Sequence, residues 1–405
     1  MIVDDEWIKS ALERLVAISS PSGGERPALE EVERLMIEAG GRVRRVPVDR
    51  DRLRDGYGFE SPTAAADMYA VVGSWGADGA RPFVVLNGHV DTVEPAGAWR
   101  VPPLEPRIVD GWLNGLGSAD MKAGLVAAIA GAARAAGTGH LTGLVEVQVV
   151  PDEEAGGGTG TLACVDELLR AGRRPDLAVV CEPTSLAVAT AQVGSRALAL
   201  RVTGVEAHAN SKHLGLNAVE LALDLAGELM SWVDRPDRTS HPLLPPASVN
   251  IGRIGGGTGA TTVAAECLLE VCFTYHPADA STLVADVDEI VVKWRARQDP
   301  QAGVELRELH DVRPFQTDPS LPAVAALNTS LGRNARAHIG FHAGSDGRLL
   351  DGVLGTPTLI CGPGDIRRVH RADEAVELRE VSAHAAALER FLPNPGITLR
   401  EEPMT

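Results

Sequence analysis

Apolar residues recur every three to four positions over residues 5–19 (Leu12, Leu15, Val16) and 27–39 (Leu29, Val32, Leu35, Met36). That spacing predicts two amphipathic helices, with Pro21-Ser-Gly-Gly as the turn between them. Four stretches break this period: 66–75, 82–88, 143–150 and 177–181 are short, nearly continuous apolar runs. Such runs read as strands buried on both faces, as in a parallel sheet. Between the strands lie helical stretches, one opened by Asp120 and ending near Gly137, another over about 160–171. Residues 96–117 are rich in Gly, Pro and Trp and are expected to form an irregular surface loop. Strands alternating with helices imply a mainly parallel α/β sheet with right-handed crossovers.

From about residue 190 the pattern changes. Strands are expected at 197–203, 248–254, 262–275 and 304–310, and helices at 216–233 and 281–297. The order βαββαβ defines a compact α+β unit of the ferredoxin-like kind. The α/β pattern resumes near Pro319, with a helix at 321–332, a strand at 356–360 and a last helix at 376–391. The expected organisation is therefore an α/β domain built from 1–189 and 313–405, with 190–312 inserted as an α+β domain.

Composition narrows the classes. At 405 residues the chain is longer than the roughly 250–300 that one core usually serves, which agrees with two domains. A net charge of −17 disfavours nucleic acid and anionic membranes as partners, because phosphate recognition needs a basic footprint. The five cysteines (Cys164, Cys181, Cys267, Cys272, Cys361) show no C-x-x-C spacing, so reduced, mostly buried thiols are expected. The start Met1-Ile-Val-Asp-Asp-Glu is acidic where a signal peptide is basic, and no apolar run spans a bilayer. The expectation is a cytoplasmic protein.

The chemistry sits at the strand ends. The run Val84-Val-Leu-Asn-Gly-His-Val-Asp-Thr-Val places His89 and Asp91 where ligands of parallel sheets collect. Residues two apart on extended chain point the same way, so Asp91 can orient the His89 ring and leave its other nitrogen free for a metal. Asp120, the pair Glu153-Glu154, Glu182 and His370 also follow apolar strands or open helices. Singly, each has a bland reading: a structural His, a solvated acidic loop, a helix N-cap. Together they do not, because solvated acids have no reason to recur at successive strand ends. Two His and several carboxylates suit zinc, manganese or cobalt. The adjacent glutamates need not point the same way, so one could ligate while the other faces a water; the residues alone leave open which does which.

Five blocks resemble the M20-type metallopeptidase family that contains acetylornithine deacetylase, succinyl-diaminopimelate desuccinylase, aminoacylase and glutamate carboxypeptidase. They are Gly-His-Val-Asp-Thr-Val (88–93), Gly-Ser-Ala-Asp-Met-Lys-Ala-Gly (117–124), Pro-Asp-Glu-Glu (151–154), Cys-Glu-Pro-Thr-Ser (181–185) and Gly-Pro-Gly-Asp-Ile with His-Arg-Ala-Asp-Glu (362–374). The resemblance implies His89 and Glu182 on one metal, Glu154 and His370 on the other, and Asp120 bridging them. Asp91 would then support His89, and Glu153 would be the general acid/base. It also implies a cis peptide after Asp120, and a dimerisation (lid) domain in 190–312. His208 of that domain would reach the partner subunit's site and donate to the oxyanion. Asn250, and Arg348 in Gly344-Ser-Asp-Gly-Arg348, are candidates for holding substrate.

The expected protein is a homodimeric two-metal hydrolase that cleaves the amide of an N-acyl amino acid, with zinc favoured and cobalt or manganese possible. A dipeptidase or carboxypeptidase of the same family is the alternative within the class. A catalytically silent binding protein on this scaffold is the alternative outside it. The acyl group stays open, because the 362–374 block leans toward the deacetylase and Ser-Asp-Gly-Arg toward the desuccinylase.

Overall fold

The structure is a computed structural model and describes residues 2–48, 67–156, 158–235 and 240–397. The chain divides into two units. The first contains Met1–Ala191, Gln316–Phe341 and Ser345–Thr405; the second contains Gln192–Phe315 and His342–Gly344.

In the first unit a central sheet runs in the order Arg42–Pro47, Tyr69–Gly76, Leu144–Val150, Phe83–His89, Leu177–Val180, Thr358–Ile360, Ala189–Gln192. Its middle is parallel: Phe83–His89 pairs in parallel with both Leu144–Val150 and Leu177–Val180, and Thr358–Ile360 with Leu177–Val180. The flanking strands are antiparallel. Every residue of Phe83–His89 and of Leu144–Val150 is buried, which is why they read as unbroken apolar runs. Val84, Leu86, Val145 and Val147 pack under the helices Asp5–Val16, Arg26–Glu38, Ala123–Gly137 and Leu378–Phe391. The opposite face carries Glu146, ion-paired to Arg44 and Arg173.

Small residues let these layers close. A Cβ on Gly131 would lie 2.5 Å from Leu388 Cβ, so Ala123–Gly137 can press against Leu378–Phe391 only with glycine there. A Cβ on Gly124 would fall 2.1 Å from the Cys181 carbonyl, which seats the start of that helix directly on the end of Leu177–Val180. The carboxyl ends of the four parallel strands therefore converge beside Ser118–Lys122.

Several elements differ from the sequence reading. The helix does not open at Asp120. Ser118–Lys122 is an irregular turn with Asp120 in a non-helical conformation, and the α-helix begins at Ala123. The stretch 96–117 is not wholly irregular, since Arg107–Val109, Trp112–Asn114 and Ala375–Glu377 form a small antiparallel sheet. The expected strand 262–275 is two, Thr262–Val263 and Glu266–Tyr275. The expected strand 66–75 runs over Tyr69–Gly76, and its position 66 lies outside the described residues.

In the second unit the sheet order is Ser248–Gly256, Glu266–Tyr275, Gly194–Thr203, Gly303–Val312, antiparallel throughout. Helices Ala218–Met230 and Leu283–Ala296 cover one face. Order and connections are those of the ferredoxin-like unit. Glu266–Tyr275 alternates in burial, with Cys267, Leu269, Val271, Phe273 and Tyr275 inward. Trp232 stands edge-on to Phe273 with ring centroids 5.5 Å apart.

Candidate active site

His89 is the last residue of its strand and is buried. Its Nε2 lies 3.2 Å from Asp120 Oδ1 and 3.9 Å from Glu182 Oε1. Its Nδ1 is 3.0 Å from the Asp91 carbonyl oxygen and 3.5 Å from Asp91 Oδ1. A ring proton given to those oxygens leaves Nε2 free to face the cluster.

The Asp91 carboxylate reaches further than its ring partner. Ser22 Oγ donates to it at 2.8 Å, and the amides of Glu153 and Glu154 donate at 3.2 and 3.0 Å. One buried side chain thus orients His89 and pins the loop bearing both glutamates. That loop leaves Leu144–Val150 through Asp152, whose φ of 68° is left-handed. The reversal lets Glu154 reach His370 Nε2 at 3.0 Å through one oxygen and 3.1 Å through the other. Glu153 belongs to neither ligand group.

Asp120 presents one oxygen to each side: Oδ1 to His89, and Oδ2 to His370 Nε2 at 3.5 Å. Its backbone sits between Gly117, at φ 75°, and a cis Asp120–Met121 peptide. Two groups result, His89–Asp120–Glu182 and Asp120–Glu154–His370, sharing Asp120, with the ligand atoms of each within 4.8 Å of one another. Donors bound tetrahedrally at about 2.0–2.2 Å from a zinc ion lie roughly 3.3–3.6 Å apart. The separations here bracket that range, so the donor set fits two divalent cations. The first group is wholly buried, whereas His370 in the second is exposed.

Charge and burial together raise the proton affinity of several groups in this centre. Burial opposes a charge on His89, but hydrogen bonds to Asp120 and Asp91 outweigh it and hold the imidazole well above its usual value. Asp120 and Glu154 lift His370 to about 10. Burial, then the Asp120 charge, pushes Glu182 well above the carboxylate range. Burial raises Glu153 in the same way. Cation binding would displace such protons.

The remaining expected residues belong to neither ligand group. His208 is in the second unit, exposed, paired in register with Thr262. Its Nδ1 accepts from the Asn210 amide at 3.1 Å, which in the neutral ring puts the proton on Nε2. Asn250 is exposed on Ser248–Gly256, in register with Cys272. Arg348, expected to grip a substrate carboxylate, is only 6 % exposed. Its Nη2 donates to the Gly156 carbonyl at 3.3 Å and lies 4.0 Å from Asp346 Oδ1. The guanidinium thus touches the loop that follows the two glutamates. Ser22, Asp346 and Glu374 were not foreseen. Only Asp346 and Glu374 lay inside recognised blocks, where an acid beside an arginine or shortly after a histidine was the available signal.

The profile of peptidase family M20/M25/M40 matches residues 85–394, and the chain belongs to that family. Among curated relatives, acetylornithine deacetylase of Proteus mirabilis is 29% identical over 320 residues, covering 77% of this chain and 79% of that one. Succinyl-diaminopimelate desuccinylase of Marinobacter nauticus is 30% identical over 323 residues, covering 77% and 83%. Among solved structures, a tripeptidase from Staphylococcus aureus superposes with a TM-score of 0.74 at 20% identity, over 98% of this chain and 100% of that one. A dinuclear metal-binding M20 peptidase from Bacillus subtilis gives 0.66 at 13%, over 96% and 97%. These last two share the fold.

Proposed function

We propose that this chain is a two-metal amidohydrolase that cleaves N-acyl amino acids to a carboxylate and a free amine. The observation that carries the reading is the pair of ligand groups meeting at the two oxygens of Asp120. The deacetylase and desuccinylase relatives support the substrate class. Imidazole with carboxylate donors favours zinc, with cobalt or manganese as substitutes. Bound divalent ions would polarise the amide carbonyl and make a nearby water acidic enough to react near neutral pH.

The protein's own groups do the rest. Glu153 stands next to the ligand Glu154 but outside both ligand groups, so its carboxylate is available to take a proton from the attacking water. Passing that proton to the leaving nitrogen completes the exchange, and the site returns to its starting state. His208, exposed and with Nδ1 already accepting from Asn210, has Nε2–H to donate to the oxyanion of the partner subunit's site in a homodimer, and Asn250 is a candidate for contacting substrate. The five free cysteines, four of them buried, suit a reducing compartment such as the cytoplasm.

The test is a substrate screen with the zinc-, cobalt- and manganese-loaded protein against N-acetyl, N-succinyl and N-formyl amino acids and dipeptides. Hydrolysis of acyl amino acids ahead of dipeptides is expected. The reverse order would make the protein a peptidase, and no turnover of either would leave a silent binding protein. Glu153→Ala should keep its metals and lose about 10²–10⁴-fold in kcat; undiminished turnover would remove Glu153 as the base.

A further inference from the structure

Glu374 is buried and its carboxylate is spent entirely on backbone. Oε1 accepts from the amides of Ala119 at 2.8 Å and Asp120 at 3.1 Å, and Oε2 from that of Gly117 at 3.1 Å. The three donors belong to the turn that carries Asp120, which no helix supports because Ala123–Gly137 begins only afterwards. The Glu374 carbonyl in turn accepts from Gly115 at 3.0 Å, and Ala375–Glu377 pairs with Trp112–Asn114. The segment following His370 is thereby fastened to the Asp120 turn and to the strand that precedes it.

We propose that Glu374 is a positioning residue that fixes Asp120 in its bridging orientation and couples the two metal positions. Three residues separate it from His370, and both His370 and Asp373 hold left-handed backbone, with φ of 57° and 61°. The short link brings the His370 ring to Asp120 Oδ2 while its far end grips the Asp120 backbone. One loop therefore sets the distance between the second group's imidazole and the shared carboxylate. Only a carboxylate can serve all three amides, since it accepts at both oxygens and donates at neither. In Glu374→Gln the new amide would turn an N–H toward an N–H, leaving a buried donor unmet.

This inference rests on the two-metal reading, and its test separates the two. Zinc binding to the metal-free protein is titrated calorimetrically for wild type, Glu374→Gln and Glu374→Asp, and amide hydrogen exchange of the metal-free proteins is followed over peptides covering 115–122. Wild type is expected to take two zinc ions. Glu374→Gln should bind zinc about 10–100-fold more weakly, as supporting residues of metal ligands do. Exchange should rise in the 115–122 peptides and stay unchanged in the strands. Glu374→Asp keeps the charge but withdraws the carboxylate by one methylene, so it should fold and weaken zinc binding to an intermediate degree. The cobalt-loaded variants should also show an altered visible spectrum. Wild-type zinc affinity in both variants would overturn the proposal while leaving the two-metal reading intact. So would exchange that rises uniformly across the chain, which marks a general structural role. If Glu374→Gln does not fold, Glu374→Asp alone decides. A wild-type protein that takes no zinc would instead defeat the functional reading, and the proposal with it.

Discussion

Asp91 carries more of the site than a partner to one histidine would. Its carboxylate meets the His89 ring, the Ser22 hydroxyl and the two amides that orient Glu153 and Glu154. Those bonds hold the aspartate ionised against its burial, with His89 the main partner. Asp91→Ala removes the partner of the His89 ring, a proposed metal ligand, and the anchor of the glutamate loop at once. Zinc affinity should fall about 10–100-fold, the usual cost of losing such support. Calorimetric titration checks this, and an unchanged affinity would mean that the His89 ring is held by packing alone. Arg348 is held from two sides. Its sequence context makes it a candidate for holding substrate, and the structure places it buried, beside Asp346 and the Gly156 carbonyl.

At the scale of elements, the strand ends were legible and the turns between them were not. Phe83–His89 and Leu144–Val150 are buried throughout, so their sequences are apolar runs that stop where the candidate ligands begin. Ala189–Gln192 is equally buried but is built from Ala, Thr and Gln, and it gave no apolar signal. The turn at Asp120 was hidden because the apolar spacing of Ala123–Gly137 continues backward through it. Glu374 was hidden for a different reason: a side chain that binds only backbone amides leaves no trace in its partners' identities. The helix Leu378–Phe391 carries a liability of its own. His384 is fully buried there, and neither ring nitrogen has a hydrogen-bond partner among the described residues. Burial lowers its pKa to about 4. Between pH 6.5 and about 4 the unfolded chain therefore binds a proton that the folded chain refuses, and stability falls as pH falls. The deficit should approach about 2 kcal/mol by pH 5. Denaturant unfolding at pH 7 and pH 5 should show His384→Leu losing less on acidification than wild type. Equal losses would mean that the imidazole is solvated or paired when charged.

For the whole molecule, no helix among the described residues is long and apolar enough to cross a membrane. The proposed homodimer has a direct consequence for activity. If His208 serves the partner's site, mixing His208→Ala with Glu153→Ala subunits should restore about a quarter of wild-type turnover, because half of randomly paired dimers hold one intact site. Absence of recovery would confine His208 to its own subunit. Five side chains, spread over residues 89 to 370, form two groups that share Asp120 only in the folded chain. The most direct test of that convergence is the number of divalent ions held per chain, measured by elemental analysis after dialysis, for wild type and for Asp120→Ala. The account predicts close to two for wild type and fewer than one for the variant. One ion or none in wild type, or two ions still held without Asp120, would contradict it.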